Sequence, residues 1–586
     1  MPNGAPAARL DSTSALNDVR WPIADLPEGS VSDVAWTAVD GSRHPVLTDL
    51  PEVSVSAAAP IAVQVSTSAA GGLQVARTAR LVQVDELGLV DSADPVLQIA
   101  GKLAGEWTDP LQVELRGPRD ILTASAEAVD GGFRASIPIL RTDAWGNSRL
   151  APTPGGYRLW LRDAAGHEAL GLLSRSVVAG LYTWEFTDEF NARLENHPEG
   201  GLWMVVNDSR PLAEIGAYAR KQFRARYQGS GTTPEDAVYF ESFRGKFCSC
   251  NPKAIFDELS RRESGLSSYW GVKDHSVPVP PGATAVTINS GEWWRVRSQA
   301  RYLVVNDWLE NTYADGPHQR VMQTWHGTAL KLLALDRVAS RQNVTFAESV
   351  RAESARWDLL LAENAYSVDL MRRAYDYSGV VLESGYPRND ILTADAGLQV
   401  RERLRKLLDI APEQQAVLYA PTWREDRTSM VNDLDLGALA EELGDGFVIL
   451  ARGHMNTLRR NAELDLARVI DVTSYPEASD LFCAADICIT DYSSVMFDFT
   501  VTGKPLLFFT PDYRRYMNDL RGVYFELSEL APGPLLTSLE DTVDAVANSA
   551  HVRQQWSERY DGWVKKFNAW DDGHAAARAA DALLAP

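Results

Sequence analysis

Three segments combine strand-like runs with residues able to do chemistry. The first is Gln323-Thr324-Trp325-His326-Gly327-Thr328-Ala329-Leu330-Lys331. Its apolar run predicts a strand, its glycine a tight turn, and the residues after it a helix. A histidine at a strand end can take a proton from an attacking hydroxyl near neutral pH. Thr328 and the unpaired N–H groups of the expected helix can hold an anion. Alternatively, the histidine caps a helix or packs in a loop. The second segment, Arg452-Gly453-His454, follows the apolar run 447–451 and offers a guanidinium fork for phosphate oxygens plus an imidazole. An exposed basic turn is the other reading. The third is Thr490-Asp491-Tyr492-Ser493-Ser494-Val495-Met496-Phe497-Asp498, where a strand ends in hydroxyls and a helix should begin. Ser493 and Ser494 can hold a diphosphate, and Asp498, one turn on, can accept from ribose hydroxyls. A plain helix cap by either serine is the simpler alternative.

Two more strand ends supply arginines: Ala420-Pro421-Thr422-Trp423-Arg424 and Gly385-Tyr386-Pro387-Arg388-Asn389-Asp390. With Lys331 and Arg452, Arg388 and Arg424 would form a local basic pocket suited to a nucleotide diphosphate. Each could instead be a structural turn.

The elements that must position these residues divide the chain. Residues 1–50 read as irregular, with a few short strands. Over 51–195, short alternating stretches such as 62–65, 111–115, 133–137 and 157–161 are separated by turn residues, which predicts an antiparallel sandwich or barrel, here assigned as a β-sandwich-like domain. His44 and His167 stand alone there and read as surface residues. From 196 the apolar runs alternate with helical patterns. Strands are expected at 202–206, 285–288, 302–305, 321–325, 359–362, 417–420, 447–451, 487–490 and 506–509. This α/β series predicts two doubly wound domains, 196–390 and 391–586, facing each other across a cleft lined by the carboxyl ends of strands. The final residues read as helical.

Composition limits the partners. The chain has 57 Lys plus Arg against 79 Asp plus Glu, a net charge of -22, which argues against a general nucleic-acid binder. It carries 45% hydrophobic residues and 23% charged ones, as a folded globular chain does. Neither a secretory signal nor a membrane-spanning run is expected. Cys248, Cys250, Cys483 and Cys488 lack metal-site spacing and read as reduced thiols of a cytosolic protein.

Together the motifs closely resemble the CDP-glycerol glycerophosphotransferases, the teichoic acid polymerases and primases. The order His-Gly-Thr, Pro-Arg-Asn-Asp, Ala-Pro-Thr-Trp-Arg, Arg-x-His and Thr-Asp-Tyr-Ser-Ser-x-x-Phe-Asp matches theirs. Gly245-Lys246 and Asn251-Pro252 upstream, and Arg521-Gly522-Val523-Tyr524 downstream, extend the match over about 202–570. The resemblance implies a GT-B fold with no metal or cofactor. It implies donor binding by Trp325, His326, Gly327, Thr328, Ala329, Arg388, Pro421, Thr422, Arg452, Gly453, His454, Ser493, Ser494 and Asp498. His326 and His454 correspond to the family's essential histidines. Ala329 and Met455 stand where the family often has proline, and Cys248-Ser249-Cys250 replaces a more usual Ser-Asp pair. The implied partners are CDP-glycerol or a related CDP-polyol and a lipid-linked polymer acceptor. The implied location is cytoplasmic and peripheral on the inner face of the cell membrane. A GT-B sugar transferase using a nucleotide sugar and a non-catalytic polymer-binding protein are the competing readings.

Overall fold

The structure is a computed structural model. It describes residues 79–585 except 91, 130, 144, 146–147, 179–180, 182, 187–188, 198–199, 228–232, 310–315, 338–342, 423–433, 454–467 and 518–521. Before residue 79 it describes only the strands at 31–33, 35–37, 43–45, 56–58, 61–67 and 73–78. The chain forms two compact units, Met1–Arg210 and Pro211–Pro586.

In the first unit, seven strands pair in a ring. The order is Leu81–Val90, Val96–Ala104, Gly132–Pro138, Ile121–Val129, Leu111–Arg116, Gly155–Arg162 and Glu168–Leu173, and the last pairs back onto the first. Inward residues alternate with outward ones, as in Phe133, Ala135 and Ile137, and the inward set forms one apolar core. The pairings therefore close on themselves, which favours the barrel over the sandwich-like assignment among the two forms expected. Closure leaves no long free edge. The strand Leu202–Asp208 pairs with Gly155–Arg162 of this unit and with Phe190–Asn196. This corrects its assignment to the α/β region. Its alternation of buried and half-buried residues is that of a one-faced antiparallel strand, not a strand covered on both faces. His167 is not solitary, since its Nδ1 lies 3.0 Å from an Asp163 carboxylate oxygen.

The second unit holds two parallel sheets. The first runs Thr284–Thr287, Ser267–Val272, Glu235–Glu241, Ala300–Val305, Arg320–Gln323, Leu359–Ala362, Val380–Glu383. In sequence order that is 3-2-1-4-5-6-7. The second runs Val469–Asp471, Phe447–Ala451, Gln415–Tyr419, Ile487–Thr490, Leu506–Phe509, Leu535–Leu536, which is 3-2-1-4-5-6. Each is doubly wound, so each has a switch point between its first and fourth strands where ligands characteristically bind. The strands are apolar on both sides because helices cover both faces. In the first sheet Leu303, Val305, Val321 and Leu360 pack with Trp293, Trp294 and Leu370. Val304, Met322, Leu359 and Leu361 pack on the other face with Ile255, Phe256, Ala579 and Leu583. The helix Ala575–Leu584 thus belongs to the first sheet's core although it follows the second sheet in sequence. The Asp390 carboxylate caps its start, accepting from Ala575 N–H at 2.9 Å and Ala576 N–H at 2.8 Å.

Candidate functional site

The carboxyl ends of the two sheets bring the sequence motifs together. At the switch point of the first sheet stands Asn306, buried, after the strand Ala300–Val305. Its Oδ1 accepts from Phe243 N–H at 2.8 Å, and its backbone carbonyl lies 2.6 Å from His326 Nδ1. A carbonyl can only accept, so Nδ1 carries the proton and Nε2 of the neutral ring does not. Burial lowers the His326 pKa; the Asn306 bond and the Asp307 charge oppose that shift, and Arg388 adds to it. The ring stacks on Trp325 at 4.7 Å and lies 5.6 Å from Phe243. Trp325 is held in the left-handed region, φ 51°, and Phe243, Arg244 and Cys250 are also at positive φ. Such strain in bulky residues persists only where surrounding contacts over-determine it.

Residues 327–333, directly after the His-Gly-Thr turn, are not helical, contrary to the sequence expectation; the next helical residues described are the 3-10 turn Ala334–Asp336. Leu330–Leu332 is drawn out instead into a ladder with the chain around Gly522–Tyr524. Leu332 N–H donates to Gly522 O at 3.1 Å and Tyr524 N–H to Leu330 O at 2.8 Å. The anion site expected from a helix start is therefore absent at this turn. Nor does the Thr328 hydroxyl point to a ligand. It is buried against Glu363, and Asn364 Nδ2 donates to it at 3.0 Å. Ala329 lends its carbonyl to Tyr366 Oη at 2.9 Å.

Gly327 brings the two halves together. A Cβ there would lie 2.9 Å from Ser494 Oγ and 3.0 Å from Ser494 Cβ, so only glycine permits this approach. On the opposite wall, Asp491 ties the two loops at the second sheet's switch point. Its Oδ1 accepts from Thr422 N–H at 2.8 Å and Tyr492 N–H at 2.5 Å. Pro421, Thr422, Ser493 and Ser494 are half-buried beside it. The helix after the serines, Val495–Phe499, is short, so hydroxyls and loop N–H groups rather than a long helix dipole characterise this wall. Arg452 donates through Nη1 to Tyr475 O at 2.8 Å, and burial lowers its pKa to about 10, still protonated at neutral pH. Gly453 N–H donates to Thr473 Oγ1 at 2.8 Å. His454 and Arg424 lie outside the described residues.

Arg388 and Asp498 are placed differently from the sequence expectation. Arg388 reaches Asp498 with Nη2–oxygen distances of 2.7 and 2.8 Å, and donates to His326 O at 2.8 Å and Cys250 Sγ at 3.1 Å. The guanidinium and the carboxylate thus face each other in an ion pair across the two walls. Lys331 lies over the Tyr516 ring at 5.5 Å. Of the four cations expected in a basic pocket, Arg388 is thus paired with Asp498, Lys331 lies against a ring, and Arg452 donates to a backbone carbonyl. Several organising residues escaped the sequence reading. Asn251 donates to the carbonyls of Thr324 and Trp325 at 3.3 and 3.2 Å and accepts from Arg388 N–H at 3.2 Å. Glu363 joins Thr328 to Asn389; burial, then Asp498 and Asp571, raise its pKa well above the usual carboxylate range. Glu477 accepts from Cys250 N–H at 2.8 Å at the start of the helix Cys250–Arg261, and burial pushes its pKa up to about 7. The Asn-Pro at 251–252 was the one signal available for this set.

Paired doubly wound sheets, with a tautomer-fixed imidazole on one wall and hydroxyl-bearing loops on the other, define a GT-B-like transferase architecture. The profile of the family described as CDP-glycerol:poly(glycerophosphate) glycerophosphotransferase matches residues 224–585. The chain is 33% identical over 361 residues to the teichoic acid poly(glycerol phosphate) polymerase of Bacillus subtilis, covering 59% of this chain and 48% of that one. It is 31% identical over 405 residues to the teichoic acid glycerol-phosphate transferase of Staphylococcus aureus, covering 65% of this chain and 100% of that one. It therefore spans about half of the first relative and the full length of the second. Ribitol-phosphate polymerases match more distantly, at 25% for one from Staphylococcus aureus. The solved wall teichoic acid polymerase TagF superposes with TM-score 0.58 at 32% identity, covering 62% of this chain and 92% of that one. A variant of it soaked with CDPG does so with TM-score 0.58 over 62% and 93%. The chain belongs to the CDP-glycerol:poly(glycerophosphate) glycerophosphotransferase family.

Proposed function

We propose that this protein transfers glycerol phosphate from CDP-glycerol to a hydroxyl of a lipid-linked, teichoic-acid-like polymer and releases CMP. The observation that carries the reading is the apposition at Gly327, which sets His326 on one wall against Ser494 on the other. In the reaction the acceptor oxygen bonds to the β-phosphorus while the bond from that phosphorus to the bridging oxygen breaks. The bridging oxygen leaves with CMP, and the acceptor proton passes to His326 Nε2. Arg452 and the hydroxyls of Ser493 and Ser494 hold the phosphates, and Gly453, tied to Thr473, shapes the turn that carries Arg452. Trp325, Pro421 and Thr422 line the donor's side. His454, carried over from the family motif, stabilises the leaving phosphate. Arg388 and Asp498 hold the two walls together beneath the donor. Transfer of this kind depends chiefly on positioning and charge stabilisation.

Glycerol is favoured over ribitol because the glycerol-phosphate polymerase of Bacillus subtilis matches at 33% and the ribitol-phosphate polymerase of Bacillus spizizenii at 28% over a shorter stretch. The reaction is placed at the inner membrane face by its lipid-linked acceptor; no helix among the described residues is long and apolar enough to cross a membrane. Incubation with CDP-glycerol, CDP-ribitol and nucleotide sugars beside a lipid-linked acceptor, with CMP measured, tests the reading. CMP should appear from CDP-glycerol, and His326→Ala should lower its release at least ~10²-fold, the scale of a general base. Turnover of a nucleotide sugar alone would overturn the donor assignment.

A further inference from the structure

The switch point of the first sheet carries a cation that the proposed reaction leaves unused. Strands Glu235–Glu241 and Ala300–Val305 lie side by side, with Glu241 opposite Val305. Parallel pairing sends both following loops out at the same end, and a crevice opens between them. One loop holds Phe243 and Arg244, the other Asn306 and Asp307. The first runs through three consecutive left-handed residues, with φ 50° at Phe243, 56° at Arg244 and 73° at Gly245. Such a backbone is costly for an arginine and persists only with firm support. The support is present. Phe243 N–H donates to Asn306 Oδ1 at 2.8 Å, Gly245 N–H to Ser242 O at 3.0 Å, and Lys273 N–H to Gly245 O at 2.8 Å. A Cβ on residue 245 would lie 2.8 Å from Lys273 N, so only glycine fits the turn. The turn sets a charge beside the base. The Phe243 ring lies 5.6 Å from the His326 ring, and the next side chain, Arg244, is 66% exposed. Its Nε stands 3.5 Å from Asp307 Oδ2, and among the described residues the guanidinium makes no hydrogen bond.

We infer that Arg244 forms an acceptor subsite, in which its guanidinium binds the phosphodiester nearest the attacking hydroxyl of the polymer. The inference rests on the functional reading, which supplies the acceptor; the geometry supplies the side it enters from. His326 must meet the attacking hydroxyl, so a group next to it on the same wall meets the acceptor. The donor's phosphates belong to the opposite wall, with Arg452 and the serines. In a glycerol phosphate polymer only one glycerol unit separates the terminal hydroxyl from the nearest phosphodiester, so the two need neighbouring partners. An arginine fork matches the two free oxygens of a phosphodiester. On a chain of net charge -22 a polyanion is repelled except where such a cation faces it. The pair with Asp307 is exposed and weak, so a phosphodiester can take its place.

Two soluble acceptors test this on the full-length protein. One is glycerophosphoglycerol; the other is its methyl phosphotriester, which keeps the hydroxyls and loses the charge. With CDP-glycerol as donor and CMP measured, the wild type should show a higher kcat/KM for the charged acceptor. The expected ratio is about 10- to 100-fold, the range for hydrogen bonds to charged groups. Arg244→Ala should abolish that preference by raising the KM of the charged acceptor. It should leave the neutral acceptor, the KM for CDP-glycerol and kcat unchanged. Arg244→Lys, which keeps the charge but not the fork, should retain part of the preference. Lys565→Ala, which removes an exposed cation elsewhere, should behave as the wild type does. Equal loss with both acceptors would make Arg244 a structural residue, and a raised KM for CDP-glycerol would assign it to the donor; either would overturn the inference. So would an undiminished preference in Arg244→Ala. Calorimetric titration with the same two compounds needs no turnover and should show the same preference. If that preference is found, and is lost in Arg244→Ala, while no protein releases CMP, the functional reading fails alone.

Discussion

An imidazole serves as a base through the nitrogen that lacks a proton, and here the choice between the two nitrogens is made by the carbonyl of Asn306. Burial shifts the His326 pKa below its usual value, so the neutral, base-competent form persists to lower pH. Below that pKa the ring is charged and cannot accept; above it the ring can. The rate kcat/KM should therefore rise with pH through an apparent pKa below about 6.5 and then level off. A limb centred well above 7 in the pH profile would contradict the assignment. Gly327 offers a second test at this scale. Gly327→Ala places a methyl group against Ser494 and must push the turn or the serine loop aside. A displacement of about 1 Å at a reacting centre can cost about 10²-fold, so turnover should fall by that order while the thermal melt changes little. Wild-type CMP release from this variant would show that the apposition at Gly327 is not needed.

At the scale of elements, the walls are held by contacts that no local pattern announces. The strands 359–362, 447–451, 487–490 and 506–509 were legible because a short apolar run between helical patterns has few other ways to bury both faces. The strand Glu235–Glu241 was not, because it opens and closes on acids. The helix expected after His-Gly-Thr was a reasonable local inference, overridden by pairing with residues almost two hundred positions away. The Arg388–Asp498 pair joins residues 110 apart, so the sequence could show the type of each side chain but not its direction. The contact of Glu477 with the start of Cys250–Arg261 is of the same kind and makes a prediction. Its pKa is raised to about 7 in the folded state against an ordinary value near 4.3. Between these values the folded state binds more protons than the unfolded one, so this group's contribution to stability falls as pH rises from about 4.5 to 7. Denaturant midpoints of wild type and Glu477→Gln should differ by an amount that changes across that window. A constant difference would show that Glu477 titrates normally.

At the scale of the molecule, two doubly wound sheets were readable from the alternation of runs, but the path of the chain between them was not. Residues 575–584 read as a helical tail with alanine at many positions, and alanine is a good helix former in any setting. In the structure Ala579, Ala580 and Leu583 are wholly buried in the first sheet's core, and Arg262 reaches Asp581 at 2.6 Å. Leu583→Ala should destabilise by about 2–5 kcal/mol, as a buried leucine does. The fluorescence transition that reports this loss should include Trp270, which lies in the same core. A loss below ~1 kcal/mol would show that the helix is only loosely docked.

That crossing back has a consequence in time. Protein synthesis proceeds at about 5–20 residues per second, so the alanine face of 575–584 becomes available roughly 15–55 s after the strand Ala300–Val305 that it helps to cover. During that interval one face of the first sheet, with Met322, Leu359 and Leu361, lacks part of its cover. The growing chain therefore presents a sticky apolar surface to chaperones, and its first α/β half is completed only by residues made after the second. Interrupted synthesis would leave a product that carries the His-Gly-Thr turn on an incompletely covered sheet, and such a fragment is a natural target for proteolysis.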